Sequence, residues 1–366
     1  MSHTAEERAA QFKALIDLLH SVTPDVYSAF DITRTHYESA GTKIEVDILA
    51  PKHLKLEPTK SHPVIVRIHG GFLVRMPVTE LTTKADAAVQ VTGSSLFPAW
   101  FSKWILDFAE EHSAVIVSPN YRLLPEVKGR DIMHDMANFW TWLQTGGPER
   151  HLASVGWSQV ALNLSQTLLA GESAGGYLAV QSVLSGLTRP KAMITLYPMI
   201  DMKASHYTKP YQKPIVGVSN YSNEAVDDFL SATLGKPAIT EADPPSRLDS
   251  AIAIVQNGRF LEVFGHEDEL FVLERIERGP LPPRQAGKPL LPPLFLLHGE
   301  DDTAVPVEGT RKLVDLLQKK HPDIKFHVSI RPGDHGFDFT ASTQDGWLRE
   351  GLEFVTGPWL SDKSRI

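Results

Sequence analysis

Five residues, Gly171-Glu172-Ser173-Ala174-Gly175, constrain this chain more than any others. Before them runs Thr167-Leu168-Leu169-Ala170, a short apolar segment of buried-strand type. After them comes Gly176-Tyr177-Leu178-Ala179-Val180, the opening of a helix. A strand turning sharply into a helix with serine at the apex is the nucleophile-elbow pattern G-x-S-x-G. Its glycines answer a steric demand. Helix and strand must approach closely while the serine is held in a strained turn with Oγ clear of the sheet. A serine displayed in this way is a weak nucleophile by itself, so the rest of the chain must supply a base and a carboxylate that orients it.

Short apolar runs recur along the chain with helical segments between them. Val64 to Ile68, Ala114 to Val117, Thr167 to Leu169, Ala192 to Leu196, Leu294 to Leu297 and Phe326 to Ile330 read as buried strands. Apolar residues at three- and four-residue spacing predict helices over Ile132 to Leu143, Ala174 to Leu187, Glu308 to Gln318 and Gln344 to Val355. The alternation implies an α/β fold: a mostly parallel sheet with helices on both faces. Lys43 to Ile48 alternates polar and apolar, as an antiparallel edge strand would. Two stretches break the rhythm. Residues 1–40 carry an amphipathic helix near Ala10 to Leu19, and residues 201–290 carry helical pieces over Asn223 to Leu230 and Glu267 to Ile276. The second stretch closes with Gly279-Pro280-Leu281-Pro282-Pro283. Both are read as a helical cap on a core formed by residues 41–200 and 291–366, because an insertion after a strand's carboxyl end lies where such sheets bind ligands.

The partners that Ser173 requires lie downstream. Leu294 to Leu297 leads into His298-Gly299-Glu300-Asp301-Asp302, an acidic loop at a strand end. Phe326 to Ile330 leads into Gly333-Asp334-His335-Gly336-Phe337, a histidine among glycines at the next strand end. Serine, acid, histidine is the chain order of this elbow's partners. Donors for an oxyanion come from His69-Gly70-Gly71-Phe72, directly after the strand Val64 to Ile68, and from the amide of Ala174 at a helix start.

Four motifs together resemble the hormone-sensitive-lipase-like carboxylesterases of the α/β-hydrolase fold. They are His69-Gly70-Gly71, the segment Asn120-Tyr121-Arg122-Leu123-Leu124-Pro125-Glu126, Gly171 to Gly176, and His335-Gly336-Phe337. They span residues 64 to 340 in the family's order, and the Tyr-Arg-Leu segment discriminates best. The resemblance implies Ser173 as nucleophile, His335 as base, and Asp302 as acid with Asp301 as its rival. It implies an oxyanion hole from the Gly70, Gly71, Phe72 and Ala174 amides, and no metal or organic cofactor. Two positions depart from the family. Phe72 stands where a third glycine is usual, which keeps a backbone N–H but narrows the space beside the oxyanion. Glu172 replaces the commoner aspartate and is read as a structural brace.

Other candidates carry less. Tyr121, Arg122 and Glu126 are read as scaffold, an arginine and a carboxylate bracing a loop. His69 orients the glycine loop and His298 is packed. His266-Glu267-Asp268-Glu269 lacks the second histidine of a zinc motif and reads as a solvated acidic face. Trp100, Phe101, Trp104 and Phe108 read as core. No phosphate-binding glycine motif is present, and a net charge of −8 without a Lys/Arg block gives no footprint for nucleic acid. The 366 residues include no cysteine, which removes a cysteine nucleophile and thiolate metal sites and suits a cytoplasmic protein. No apolar run reaches the length of a membrane span. Ser364-Arg365-Ile366 is close to the Ser-Lys-Leu peroxisomal address and offers an alternative location. The expected activity is serine-dependent cleavage of small or medium hydrophobic carboxylic esters through an acyl-enzyme, with a specialised natural-product substrate included. Thioester or lactone cleavage, acyl transfer, a dehydratase-like lyase and a non-catalytic receptor are the alternatives.

Overall fold

The computed structural model describes residues 4–56, 60–71, 94–241, 248–278 and 289–361. Phe72, the 279–283 return and the C-terminal tripeptide lie outside them. The described strands are β1 (Phe30–Ser39), β2 (Thr42–Pro51), β3 (Lys60–Ile68), β4 (Val115–Pro119), β5 (Val160–Glu172), β6 (Ala192–Leu196), β7 (Leu294–Gly299) and β8 (Phe326–Arg331). They form one eight-stranded sheet of order β1-β2-β4-β3-β5-β6-β7-β8, parallel from β4 through β8. This is the α/β-hydrolase arrangement, and each buried run named from the sequence lies in a strand, except that Ala114 stands one residue before β4.

Strand alternation splits the core in two. Val64, Val66 and Ile68 of β3 and Leu294 and Leu296 of β7 face one cluster. Ile65, Phe295 and Leu297 face the other. Because both faces of a parallel strand are covered, most positions are apolar and the run reads as nearly continuous, with the buried Arg67 as an exception in β3. On the second face lie α2 (Lys103–Glu111) and α12 (Gly346–Leu360), which pack Trp104, Phe108, Leu352 and Trp359 against the sheet. On the first lie α3 (Gly129–Gln144), α4 (Gly147–Ser154), α5 (Ala174–Leu184) and α11 (Glu308–Lys320).

Two expectations change at the edges of the molecule. Helix α1 (Ala5–His20) falls where the periodicity predicts it, but residues 30–39 form β1 rather than part of a cap. Strand β1 pairs along its length with β2, from Phe30 opposite Pro51 to Ser39 opposite Thr42, so β2 is not the edge. The turn is Ala40-Gly41, both at positive φ (47° and 77°), as a two-residue hairpin requires. Strand β1 escapes a hydrophobicity reading because it is an edge strand: its exposed alternate residues are Ile32, Arg34, His36 and Glu38, while the half-buried Asp31, Thr33 and Thr35 between them are polar.

Between β6 and β7 lie α6 (Ser205–Thr208), α7 (Asn223–Thr233), α8 (Leu248–Gln256), α9 (Phe260–Phe264) and α10 (Val272–Arg278). The single helix expected over Glu267 to Ile276 is a 3-10 turn, Asp268–Leu270, then α10, broken at extended Phe271. Leu270, Phe271 and Val272 are all buried. Among the described residues no helix is long and apolar enough to cross a membrane.

Candidate active site

Parallel strands send their carboxyl ends to one edge of the sheet, and the candidate residues leave the sheet there. Gly70 and Gly71 follow β3, Ser173 follows β5, Tyr197 follows β6, the 300–305 loop follows β7, and His335 follows β8.

Ser173 is buried and sits at φ 54° and ψ −119°, a left-handed position that a side chain normally avoids. Three neighbours hold it there. Its N–H donates to Leu196 O at 2.8 Å, while its carbonyl accepts from Met199 N at 3.1 Å and from Tyr177 N at 3.2 Å. The flanking glycines are obligatory. A Cβ on Gly175 would lie 2.0 Å from Ile68 O, and one on Gly171 would lie 2.4 Å from Gly175 O. Ala174 begins α5, so its amide stands at a helix N-terminus next to Ser173.

His335 and Asp302 meet across the ends of β7 and β8. His335 Nδ1 donates to Asp302 Oδ2 at 2.8 Å, which leaves Nε2 as the proton acceptor of the ring. The other carboxylate oxygen, Oδ1, accepts from Ala304 N at 2.9 Å and Val305 N at 2.7 Å. Burial alone would raise the Asp302 carboxyl. The His335 charge and the His298 and His335 hydrogen bonds outweigh burial and hold it below its ordinary range. Burial lowers the His335 imidazole, but the Asp302 charge and hydrogen bond prevail and raise it. The rival acid, Asp301, is exposed, and its Oδ2 accepts from Gly333 N at 3.2 Å.

Two residues at the site were not read as functional from the sequence. His298 is fully buried, and its Nε2 lies 2.8 Å from Val305 O and 3.4 Å from Asp302 Oδ2. A carbonyl only accepts, so Nε2 carries the proton and shares it with Asp302, while Nδ1 takes Thr310 Oγ1 at 2.8 Å. The signal was present as a histidine four residues before the acid. Tyr197 is buried at φ 36° directly after β6, and its ring lies 4.3 Å from the His335 ring. Only the sheet order puts those rings together.

The glycine loop is set from behind. His69 Nδ1 donates to Gly70 O at 2.8 Å, and Tyr121 Oη donates to His69 O at 2.8 Å. The two rings stack at 4.5 Å. Because a trans peptide points its N–H opposite its carbonyl, the amides of Gly70 and Gly71 face away from Tyr121. Gly70 also borders the nucleophile position, since a Cβ there would lie 3.2 Å from Ser173 Cβ. Burial, aided by the Arg67 charge, lowers the His69 imidazole to about 3, so the ring is neutral.

The scaffold pairs are buried ions. Glu172 pairs with Arg67, whose guanidinium also donates to Ser95 O at 3.1 Å and lies 4.0 Å from the Phe101 ring. Burial pushes Glu172 up to about 7 against the pull of Arg67, with Asp338 adding to the rise. Arg122 is braced by Asp135 of α3, at 2.7 Å. His266 is exposed, and Asp268 beside it pairs with Arg278, as a solvated face would.

A family described as "alpha/beta hydrolase fold" matches residues 92–253. A probable carboxylesterase of Phoma sp. is 29% identical over 317 residues, covering 85% of this chain and 91% of that protein. A probable carboxylesterase of Cochliobolus lunatus is 31% identical over 211 residues, covering 55% of this chain and 92% of that protein. A non-reducing polyketide synthase of Aspergillus calidoustus is 25% identical over 362 residues, 87% of this chain but 14% of that much longer protein. Among solved structures, an esterase of Mycobacterium marinum shares the fold with a TM-score of 0.57 at 17% identity, covering 98% of this chain and 92% of that one. The chain belongs to the carboxylesterases of the α/β-hydrolase fold and is an ester-cleaving enzyme.

Proposed function

We propose that Ser173, His335 and Asp302 are the nucleophile, base and acid of this ester hydrolase, and that the amides of Gly70, Gly71, Phe72 and Ala174 hold the oxyanion. The observation that carries the reading is the 2.8 Å bond from His335 Nδ1 to Asp302 Oδ2, at the sheet edge that also bears the strained Ser173 turn. Ser173 Oγ attacks the ester carbonyl as His335 Nε2 takes its proton. Asp302 holds the tautomer and stabilises the imidazolium. The carbonyl oxygen gains charge, and backbone N–H groups fixed in place before reaction would stabilise it without reorganisation. His335 then protonates the leaving alcohol. Water, deprotonated by the same nitrogen, releases the acid from Ser173.

The substrate reading is a small or medium hydrophobic ester, with a fungal natural-product intermediate as the favoured kind. Similarity over most of this chain to part of a polyketide synthase supports that choice. Residues 201–290 with helices α6–α10, together with α1, act as the cap that selects the acyl group. A cytoplasmic location is proposed, with Ser364-Arg365-Ile366 as the peroxisomal alternative; imaging a fluorescent protein fused upstream of the chain decides between them.

The test is covalent. A fluorophosphonate should label the protein once, at Ser173, and Ser173→Ala should abolish both labelling and turnover on an ester panel while circular dichroism is unchanged. Wild-type turnover in S173A would refute the assignment.

A further inference from the structure

The turn at residues 215–218 is built against the preference of its own sequence. Ile215 and Val218 exchange backbone hydrogen bonds, Val218 N to Ile215 O at 2.8 Å and Ile215 N to Val218 O at 3.2 Å. The two residues between them, Val216 and Gly217, are both at positive φ, 45° and 78°. Valine is among the residues least suited to that conformation, because its branched Cβ crowds the backbone. A turn with only glycine at positive φ would suit Val-Gly better. The peptide is held over by what its N–H reaches: Val216 N donates to Thr303 Oγ1 at 2.8 Å.

Thr303 follows Asp302 directly and is saturated by its neighbours. Its hydroxyl lies 2.9 Å from each oxygen of Asp334, and its N–H donates to Asp334 Oδ1 at 2.7 Å. Asp334 Oδ1 also accepts from His335 N at 2.7 Å. The loops after β7 and β8 are thus joined residue by residue. Asp301 N donates to Gly333 O at 3.1 Å, Thr303 binds Asp334, and Asp302 binds His335. A hydroxyl has one proton to give. Thr303 donates it to Asp334 and accepts from the turn, so the same oxygen ties the inserted segment to the backbone of His335.

We infer that Thr303 is a positioning residue for ester cleavage, a latch through which the Val216 turn fixes the register of the His335 loop against Asp302. The inference rests on the reading of His335 as the base. Substrate that seats against the inserted segment is then felt at His335 through one side chain. Small displacements of a base are costly, about a hundredfold in rate for about 1 Å.

Thr303→Val keeps the shape and removes the hydroxyl. It should lower kcat on a chromogenic ester about 10- to 100-fold while leaving KM within about twofold, and Thr303→Ser should restore kcat. Gly217→Ala strains only the turn, since nothing lies within 4 Å of an added Cβ and φ is +78°. It should lower kcat in the wild type and not lower it further in T303V. If T303V does not fold, Thr303→Ala, which leaves room for a water, carries the same comparison. Fluorophosphonate labelling of wild type is run alongside. A wild-type enzyme that labels at Ser173, with a folded T303V of unchanged kcat, overturns the latch and leaves the triad standing. Equal losses from G217A in both backgrounds overturn the part played by the turn. Absence of labelling in wild type removes the triad and the latch together.

Discussion

Replacing Asp302 with asparagine should trap the imidazole in the wrong tautomer, because the surroundings of Asp302 dictate how the new amide must lie. Oδ1 of Asp302 accepts two backbone N–H groups, from Ala304 and Val305, and Oδ2 faces the ring nitrogens of His335 and His298. An asparagine side chain with its NH2 at the Oδ1 position would leave two buried N–H groups unpaired, at about 1–3 kcal/mol each. The amide oxygen therefore takes that position and the NH2 points at His335 Nδ1. Two donors cannot share the contact, so the His335 proton shifts to Nε2 and faces Ser173, where the lone pair is needed. The expected loss is about 10³ to 10⁴ in kcat, or about 4 to 5.5 kcal/mol of barrier. Loss of the carboxylate charge should also move the acid limb of the kcat/KM profile. In wild type the base must be neutral, and Asp302 raises the pKa of His335, so that limb lies above the ordinary histidine value and D302N shifts it to lower pH. Steady-state rates on one chromogenic ester from about pH 5 to about pH 9, a range that brackets the ordinary histidine value, provide the readout, with thermal melts to establish folding. Asp301→Asn, which disturbs one bond to Gly333 N, should stay within about tenfold. A D302N enzyme within about tenfold of wild type, or an equally crippled D301N, would refute the reasoning.

His298→Leu removes the proton shared by Asp302 and the Val305 carbonyl, and should lower kcat by about tenfold or more with little change in KM; stopped-flow acylation rates check it. Glu172→Gln leaves Arg67 buried without its counter-charge and should cost about 3 to 5 kcal/mol in urea unfolding at about pH 8, where Glu172 is ionised; a loss below about 1 kcal/mol would mean that Arg67 is satisfied by its carbonyls alone. If the inserted helices close an apolar chamber, kcat/KM should rise about fourfold per methylene, from about 0.8 kcal/mol each, over short acyl chains and then fall sharply. Emulsified long-chain triglycerides should be nearly untouched, and finding them to be the best substrates would refute the closed chamber.

The local chemistry was legible in the sequence because it is written in contiguous residues. The elbow needs glycine on both sides of Ser173: a Cβ on Gly171 would strike the Gly175 carbonyl within the turn itself, and one on Gly175 would strike the Ile68 carbonyl of the adjacent β3. The parallel strands were legible because both faces are buried, so their runs are mostly apolar with few polar interruptions such as Arg67. Asp302 and His335 could be placed at strand ends, but their hydrogen bond could not be read, because nothing local distinguishes the Oδ2 of Asp302 from that of Asp301. Strand β1 was hidden, because an edge strand exposes the alternate residues that would otherwise mark it. Tyr197 against His335, His298 beneath Asp302 and Val216 on Thr303 belong to the tertiary structure alone. Tyr197 with His335 and Val216 with Thr303 join residues from different strands or loops, so their proximity is set by sheet order and loop register. His298 and Asp302 are only four residues apart, but the fold of the loop after β7 is what turns the carboxylate back onto the ring.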